Sequence, residues 1–123
     1  MLPSLGFEGT AKVVNKGVDV TLITDEKGAD EMFQVSRYLV VCGISAAVVA
    51  VTEMDPVDMK TIRYFETTTP LLLFFDRQVA DAVIPLLSQE TEYQYMEEHS
   101  AASLLKIIPA MLETVEKIGG KKE

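Results

Sequence analysis

Thr67-Thr68-Thr69-Pro70 runs directly into Leu71-Leu72-Leu73-Phe74-Phe75, and the reading of this stretch governs the expected fold. A proline at the mouth of an apolar run sits at the start of a strand, because it has no N–H to give a central ladder. The threonines before it are β-branched and polar, so they suit an extended approach. An X-Pro bond at such a corner is also a candidate for the cis form, which usually marks a tight bend.

Upstream, Val18-Asp19-Val20-Thr21-Leu22-Ile23-Thr24 alternates and is rich in β-branched residues, which predicts a strand. Asp25-Glu26-Lys27-Gly28 breaks it. Met32, Val35, Ser36 and Leu39 then recur three and four apart, predicting a helix from Ala29 to about Val41, with Asp30 and Glu31 in its first turn and Gly43 as its stop. Ala46–Thr52 is apolar without alternation, as in a strand covered on both faces. Asp55 suits an N-cap and Pro56 the first position of a short helix that carries Val57, Met59, Ile62 and Phe65 and ends before the threonines.

Downstream of the Leu71–Phe75 strand, Asp76-Arg77-Gln78 reads as a tight turn and Val79–Leu87 as a fourth strand, which Pro85 confines to a sheet edge. Ser88–His99 is polar and reads as loop. Ser100 can cap a last helix, Ala101–Ile118, with Leu104, Leu105, Ile108, Met111, Leu112 and Val115 as its buried stripe and Pro109 kinking or splitting it. Residues 1–17 form an N-terminal extension, in which Thr10–Val14 reads as an extra strand or a helix turn. The order β-α-β-α-β-β-α over residues 18–118 predicts an α/β domain. Its expected architecture is a four-stranded mixed sheet with helices on both faces, and a fifth strand if the N-terminal segment joins it. Residues 119–123 are a tail.

Composition narrows function mainly by exclusion. A chain of 123 residues, 48% apolar and 24% charged, is one folded domain with a core of its own. Its net charge of −8 and pI near 4.6 argue against nucleic acid and against an anionic membrane as partners. The only cysteine is Cys42, so neither an intramolecular disulfide nor a cysteine-rich zinc site can form. The N-terminus lacks a secretory pattern, and the longest apolar stretch, Tyr38–Val51, falls short of the roughly 20 residues that span a bilayer. A cytoplasmic protein is the expectation.

With Val49-Ala50-Val51-Thr52 followed by an acidic connector, and Thr69-Pro70 opening a hydrophobic strand and hairpin, the chain resembles the thioredoxin-like fold superfamily over residues 16–118. That resemblance implies a cis Pro70 facing the active site and a Thr69 backbone offered to an extended peptide. It also implies a Cys-x-x-Cys motif near Asp25–Asp30, where this sequence reads Asp-Glu-Lys-Gly-Ala-Asp. A member without that motif cannot exchange dithiols.

Other chemistry is sparse. Cys42 lies among Leu39, Val40, Val41 and Ile44 near the C-terminal end of a helix, where the dipole disfavours a thiolate. A buried small hydrophobe is the expectation there. His99 stands alone, and the acidic group Asp25, Glu26, Asp30 and Glu31 lacks the spacing of a calcium loop, so neither metal nor cofactor is expected. Tyr93, Tyr95 and Met96 read equally as an interface or as a loop packed over a sheet edge. The functional expectation is a redox-inactive module that binds another protein, or itself as a homodimer. Its expected binding residues are Thr68, Thr69, Pro70, Asp25, Glu26, Lys27, Gly28, Tyr93 and Tyr95. The alternative is a single-cysteine, glutathione-linked redox protein with Cys42 as the catalytic residue.

Overall fold

A computed structural model describes residues 11–52, 59–97 and 101–119, with side chains of the last segment described from 102 to 113. The elements are β1 (Ala11–Asn15), β2 (Val20–Asp25), α1 (Ala29–Val41), β3 (Ala46–Val51), α2 (Met59–Thr68), β4 (Leu72–Phe74), α3 (Arg77–Val83), β5 (Tyr93–Tyr95) and α4 (Ala101–Gly119). They build a five-stranded mixed sheet in the order β1-β3-β2-β4-β5. β1 is antiparallel to β3, and β3, β2, β4 and β5 run parallel. The fifth, N-terminal strand therefore forms.

The central strands are apolar because both faces are covered. Every residue of β3 is buried, as a strand between two helical layers requires. On one face Val20, Leu22, Val48 and Leu73 pack against Met32, Val35 and Leu39 of α1 and Leu104 and Ile108 of α4. On the other, Ile23, Val49, Leu72 and Phe74 meet Ile62 and Phe65 of α2 and Val79, Ala80 and Val83 of α3. Gly17 lets the chain turn into β2 beside β3, since a Cβ there would lie 2.3 Å from the Ala46 carbonyl carbon.

The second half departs from the expected hairpin. Asp76 opens a helix instead of a turn: its carboxylate accepts the Val79 N–H at 3.0 Å, an N-cap bond. Val79, Ala80 and Val83 then recur at helical spacing, which buries them together. Pro85 lies in a short 3₁₀ turn, Ile84–Leu86, near the start of which a missing N–H loses no bond. The segment expected to be loop contributes β5, parallel to β4 with Leu72 opposite Tyr93 and Phe74 opposite Tyr95. A thioredoxin-like sheet ending in a hairpin is therefore not what this chain forms.

Smaller differences have local causes. α2 continues through Thr67 and Thr68, because the Thr67 hydroxyl bonds the Tyr64 carbonyl (2.8 Å) and the Thr69 N–H reaches the Phe65 carbonyl (3.1 Å). Pro109 lies inside an unbroken α4. In the stripe of that helix Leu104 and Ile108 are buried and Leu105, Met111 and Leu112 half-buried, while the Val115 side chain lies outside the described residues. Asp55, Pro56, Val57, His99 and Ser100, with their expected capping or polar roles, also lie outside them.

Candidate functional site

In open α/β sheets the ligand crevice lies beyond the carboxyl ends of the strands, where successive crossovers part to opposite faces. Here that point falls between β2 and β4: β2 leads to α1 on one face and β4 to α3 on the other. Asp25 ends β2 and Glu26, Lys27 and Gly28 follow it, while Asp76 and Arg77 follow β4. Both aspartates are engaged by their own loops. Asp25 Oδ1 accepts the Gly28 N–H at 2.9 Å, and Asp76 caps α3. The Gly28 backbone packs onto the strand, since a Cβ would stand 2.3 Å from Thr24 Oγ1. This loop closes on itself rather than standing off to cradle a phosphate. Among the described residues no group of three or more His, Cys, Asp or Glu is placed to hold a metal ion.

Thr68, Thr69 and Pro70 lie at the opposite end of the sheet, before β4. Thr69 is buried, with its hydroxyl 2.7 Å from that of Thr21 and 3.1 Å from the Phe65 carbonyl. Its N–H, the group the thioredoxin resemblance would offer to a peptide, already bonds Phe65. Thr68 Oγ1 is buried with no hydrogen-bond partner among the described residues, and Pro70 is exposed. Asp25 stands four residues beyond Thr21 along β2, about 13 Å at the strand rise. The structure thus does not bring the Thr68–Pro70 corner and the Asp25–Gly28 loop into one groove.

Tyr93 and Tyr95 belong to β5, the outermost strand beside β4. The Leu72 N–H bonds the Glu92 carbonyl (3.0 Å), and the Met96 N–H bonds the Phe74 carbonyl (2.8 Å). Residues 92, 94 and 96 thus turn their main chain inward, and by the two-residue period Tyr93 and Tyr95 turn theirs outward. Among the described residues no strand pairs with that outer side. The Tyr93 ring meets Phe74 edge-on at 6.4 Å yet is 45% exposed, and the Arg77 guanidinium lies 4.7 Å from the centre of the Tyr95 ring. Glu90, Glu92, Gln94 and Glu97 around the strand are exposed.

The loop entering β5 is fastened by a residue that sequence reading missed. The Glu66 carboxylate, on α2, accepts from Arg63 Nη1 (2.7 Å), the Ser88 N–H (2.8 Å) and the Thr91 hydroxyl (2.6 Å). Arg63 Nη2 also bonds the Leu86 carbonyl at 2.7 Å. Burial alone would raise the Glu66 pKa, but the bonds from Thr91, Ser88 and Arg63 outweigh it and hold the carboxyl below its usual range. The only local signal was the Arg63/Glu66 spacing of three on a helix.

Cys42 is exposed, contrary to the buried position expected. It caps α1 through its N–H, and its neighbours Val40 and Val41 are exposed as well, because the buried stripe of the helix ends at Leu39. No helix among the described residues is long and apolar enough to cross a membrane.

No protein-family model matches the chain, and no curated protein matches it in sequence. Solved structures do match in fold. A split-gene transketolase, solved as an inactive β4 tetramer, superposes with a TM-score of 0.67 at 16% identity, over 92% of this chain and 45% of that one. The 2-oxoglutarate:ferredoxin oxidoreductase of Magnetococcus marinus, solved with 2-oxoglutarate, coenzyme A and succinyl-CoA, gives 0.64 at 14% identity, over 88% of this chain and 20% of that one. The chain thus spans less than half the length of either protein. These likenesses replace the thioredoxin-like resemblance as the description of the fold.

Proposed function

We propose that this chain is a protein-binding module of a larger assembly, not itself catalytic, that takes an extended segment of a partner as a further strand along β5. The observation that carries this reading is the outward main chain of Tyr93 and Tyr95 on an edge that no described strand covers. Such an edge is a template for strand addition. The other edge is blunted: β1 carries exposed Lys12 and an irregularity in its pairing between Val13 and Asn15. Two further points support binding over turnover. Both aspartates of the carboxyl-end crevice are engaged within their own loops, Asp25 by closing the turn to Gly28 and Asp76 by capping α3. The split-gene transketolase is an oligomeric chain whose tetramer is inactive, so a domain of this fold is compatible with a part in assembly.

Tyr93→Pro and Tyr93→Ala form the test, read by photo-crosslinking from position 94. Both variants lose the ring; only the proline loses the outward N–H, which no ladder bond uses. Crosslinking of a discrete partner should persist in the alanine variant and disappear in the proline variant, with equal melting temperatures. Equal crosslinking in the two variants would contradict strand addition.

The second reading, a thiol-dependent redox protein, is favoured by the exposure of Cys42. Its sulfur makes no hydrogen bond to a described residue that would serve as a base, and assembly remains the preferred function.

A further inference from the structure

We infer that the segment added to β5 alternates aliphatic residues with lysine or arginine, and that the occupant is not a second copy of this edge. This inference rests on the strand-addition reading and names the partner's chemistry. The two faces of β5 differ. Tyr93 and Tyr95 share the face of α2 and α3, with Phe74 beneath Tyr93 and the Arg77 guanidinium on Tyr95. A neighbouring strand presents side chains there to tyrosine rings and to a fixed cation, which suits aliphatic residues and disfavours Lys and Arg. Glu92 and Gln94 share the opposite face, with Met96 buried in the core on the α1 and α4 side. Side chains at the alternate positions of the added strand meet Glu92 and an exposed amide, which suits a cation. Ser88–Glu97 holds three carboxylates, Glu90, Glu92 and Glu97, and no Lys or Arg, within a chain of net charge −8.

The same charge count disfavours self-pairing. Antiparallel pairing of β5 with its copy brings both sets of these carboxylates to one short ladder with no cation of the strand to offset them. The described strand is only three residues long. It therefore supplies few main-chain bonds, and side-chain chemistry decides the partner.

The test uses the whole chain, ¹⁵N-labelled, titrated with four capped peptides at 0.15 M salt. The first is Thr-Lys-Val-Lys-Val-Lys-Val-Thr. In the second serine replaces each lysine, in the third glutamate does, and the fourth is the first with the amides of both edges N-methylated. The lysine peptide should shift the amides of Tyr93, Gln94 and Tyr95. The serine peptide should bind about threefold more weakly, as one exposed ion pair with Glu92 would give. The glutamate and N-methylated peptides should not bind. Equal binding of lysine and serine peptides overturns the basic assignment and leaves strand addition standing. Equal binding of the N-methylated peptide, or no binding at millimolar concentration, overturns both. A dimer mass in solution that Tyr93→Pro abolishes and Tyr93→Ala does not assigns the edge to a second copy and overturns the inference.

Discussion

Replacing Glu66 tests how the edge strand is held. The side chain is 6% exposed and gathers three hydrogen bonds, from Arg63, Ser88 and Thr91, that fix the loop entering β5 against α2. Hydrogen bonds to a charged group are worth about 1.5–3 kcal/mol each, but Ser88 and Arg63 are exposed and water takes their place. Glu66→Ala should therefore cost about 2 kcal/mol in total, and Glu66→Gln, which keeps one carbonyl oxygen as acceptor, about 1 kcal/mol. The pH dependence follows from the lowered pKa. A carboxyl whose folded pKa lies below its unfolded value binds more protons when unfolded. Its contribution is complete above the unfolded pKa, near 4.5, and is lost as pH falls through the folded one. Urea unfolding over a series of pH values should show the deficit of the glutamine variant largest at pH 7 and shrinking as pH falls below about 4.5. Hydrogen exchange at pH 7 should quicken over residues 88–96 and stay unchanged in β2 and β3. An unchanged pH 7 midpoint, or a loss spread evenly over the sheet, would refute the role of Glu66 as the fastening of β5.

Gly17→Ala should destabilise the fold by about 1–3 kcal/mol in thermal unfolding, because the new Cβ meets β3 backbone at 2.3 Å and cannot rotate away. Asp76→Ala should cost about 1 kcal/mol through loss of the α3 cap, with Asp76→Asn losing less; equal stability of all three would show that residue 76 does not start a helix. Thr69→Val alone should cost about 1–2 kcal/mol by leaving the buried Thr21 hydroxyl short of a partner, whereas adding Thr21→Val should recover part of the loss. Cys42, being exposed, should be alkylated in the native protein at nearly the rate seen in denaturant, and a native rate many-fold slower would contradict its placement.

The first half of the fold was legible because its periods are pure. Val18–Thr24, Ala29–Val41 and Ala46–Thr52 became β2, α1 and β3 with boundaries within two residues, since alternation marks a strand, helical spacing marks a helix, and the Ala46–Thr52 run is short and rich in β-branched valine. Val79–Leu87 is a helix and a 3₁₀ turn rather than the expected strand, and its almost unbroken apolarity suits either. The deciding feature was the aspartate in front of it, whose carboxylate reaches the Val79 N–H. Tyr93-Gln94-Tyr95 reads equally as loop or interface, because three residues of alternation are too few to define a strand. What makes it one is Leu72 and Phe74 alongside, a contact between distant segments. The threonine-proline corner misled for a related reason. Proline suits the entry to many strands, and the resemblance assigned to Thr69 an N–H that the end of α2 already holds.

The outer edge of β5 is the central claim, and residue-resolved amide exchange of the free protein tests it most directly. The Gln94 and Met96 amides, turned toward β4, should be protected, and the Tyr93 and Tyr95 amides that alternate with them should exchange as freely as exposed loop. Adding the lysine peptide should then slow Tyr93 and Tyr95 alone. Strong protection of Tyr93 and Tyr95 in the free monomer would mean that the edge is already covered, and would contradict the account.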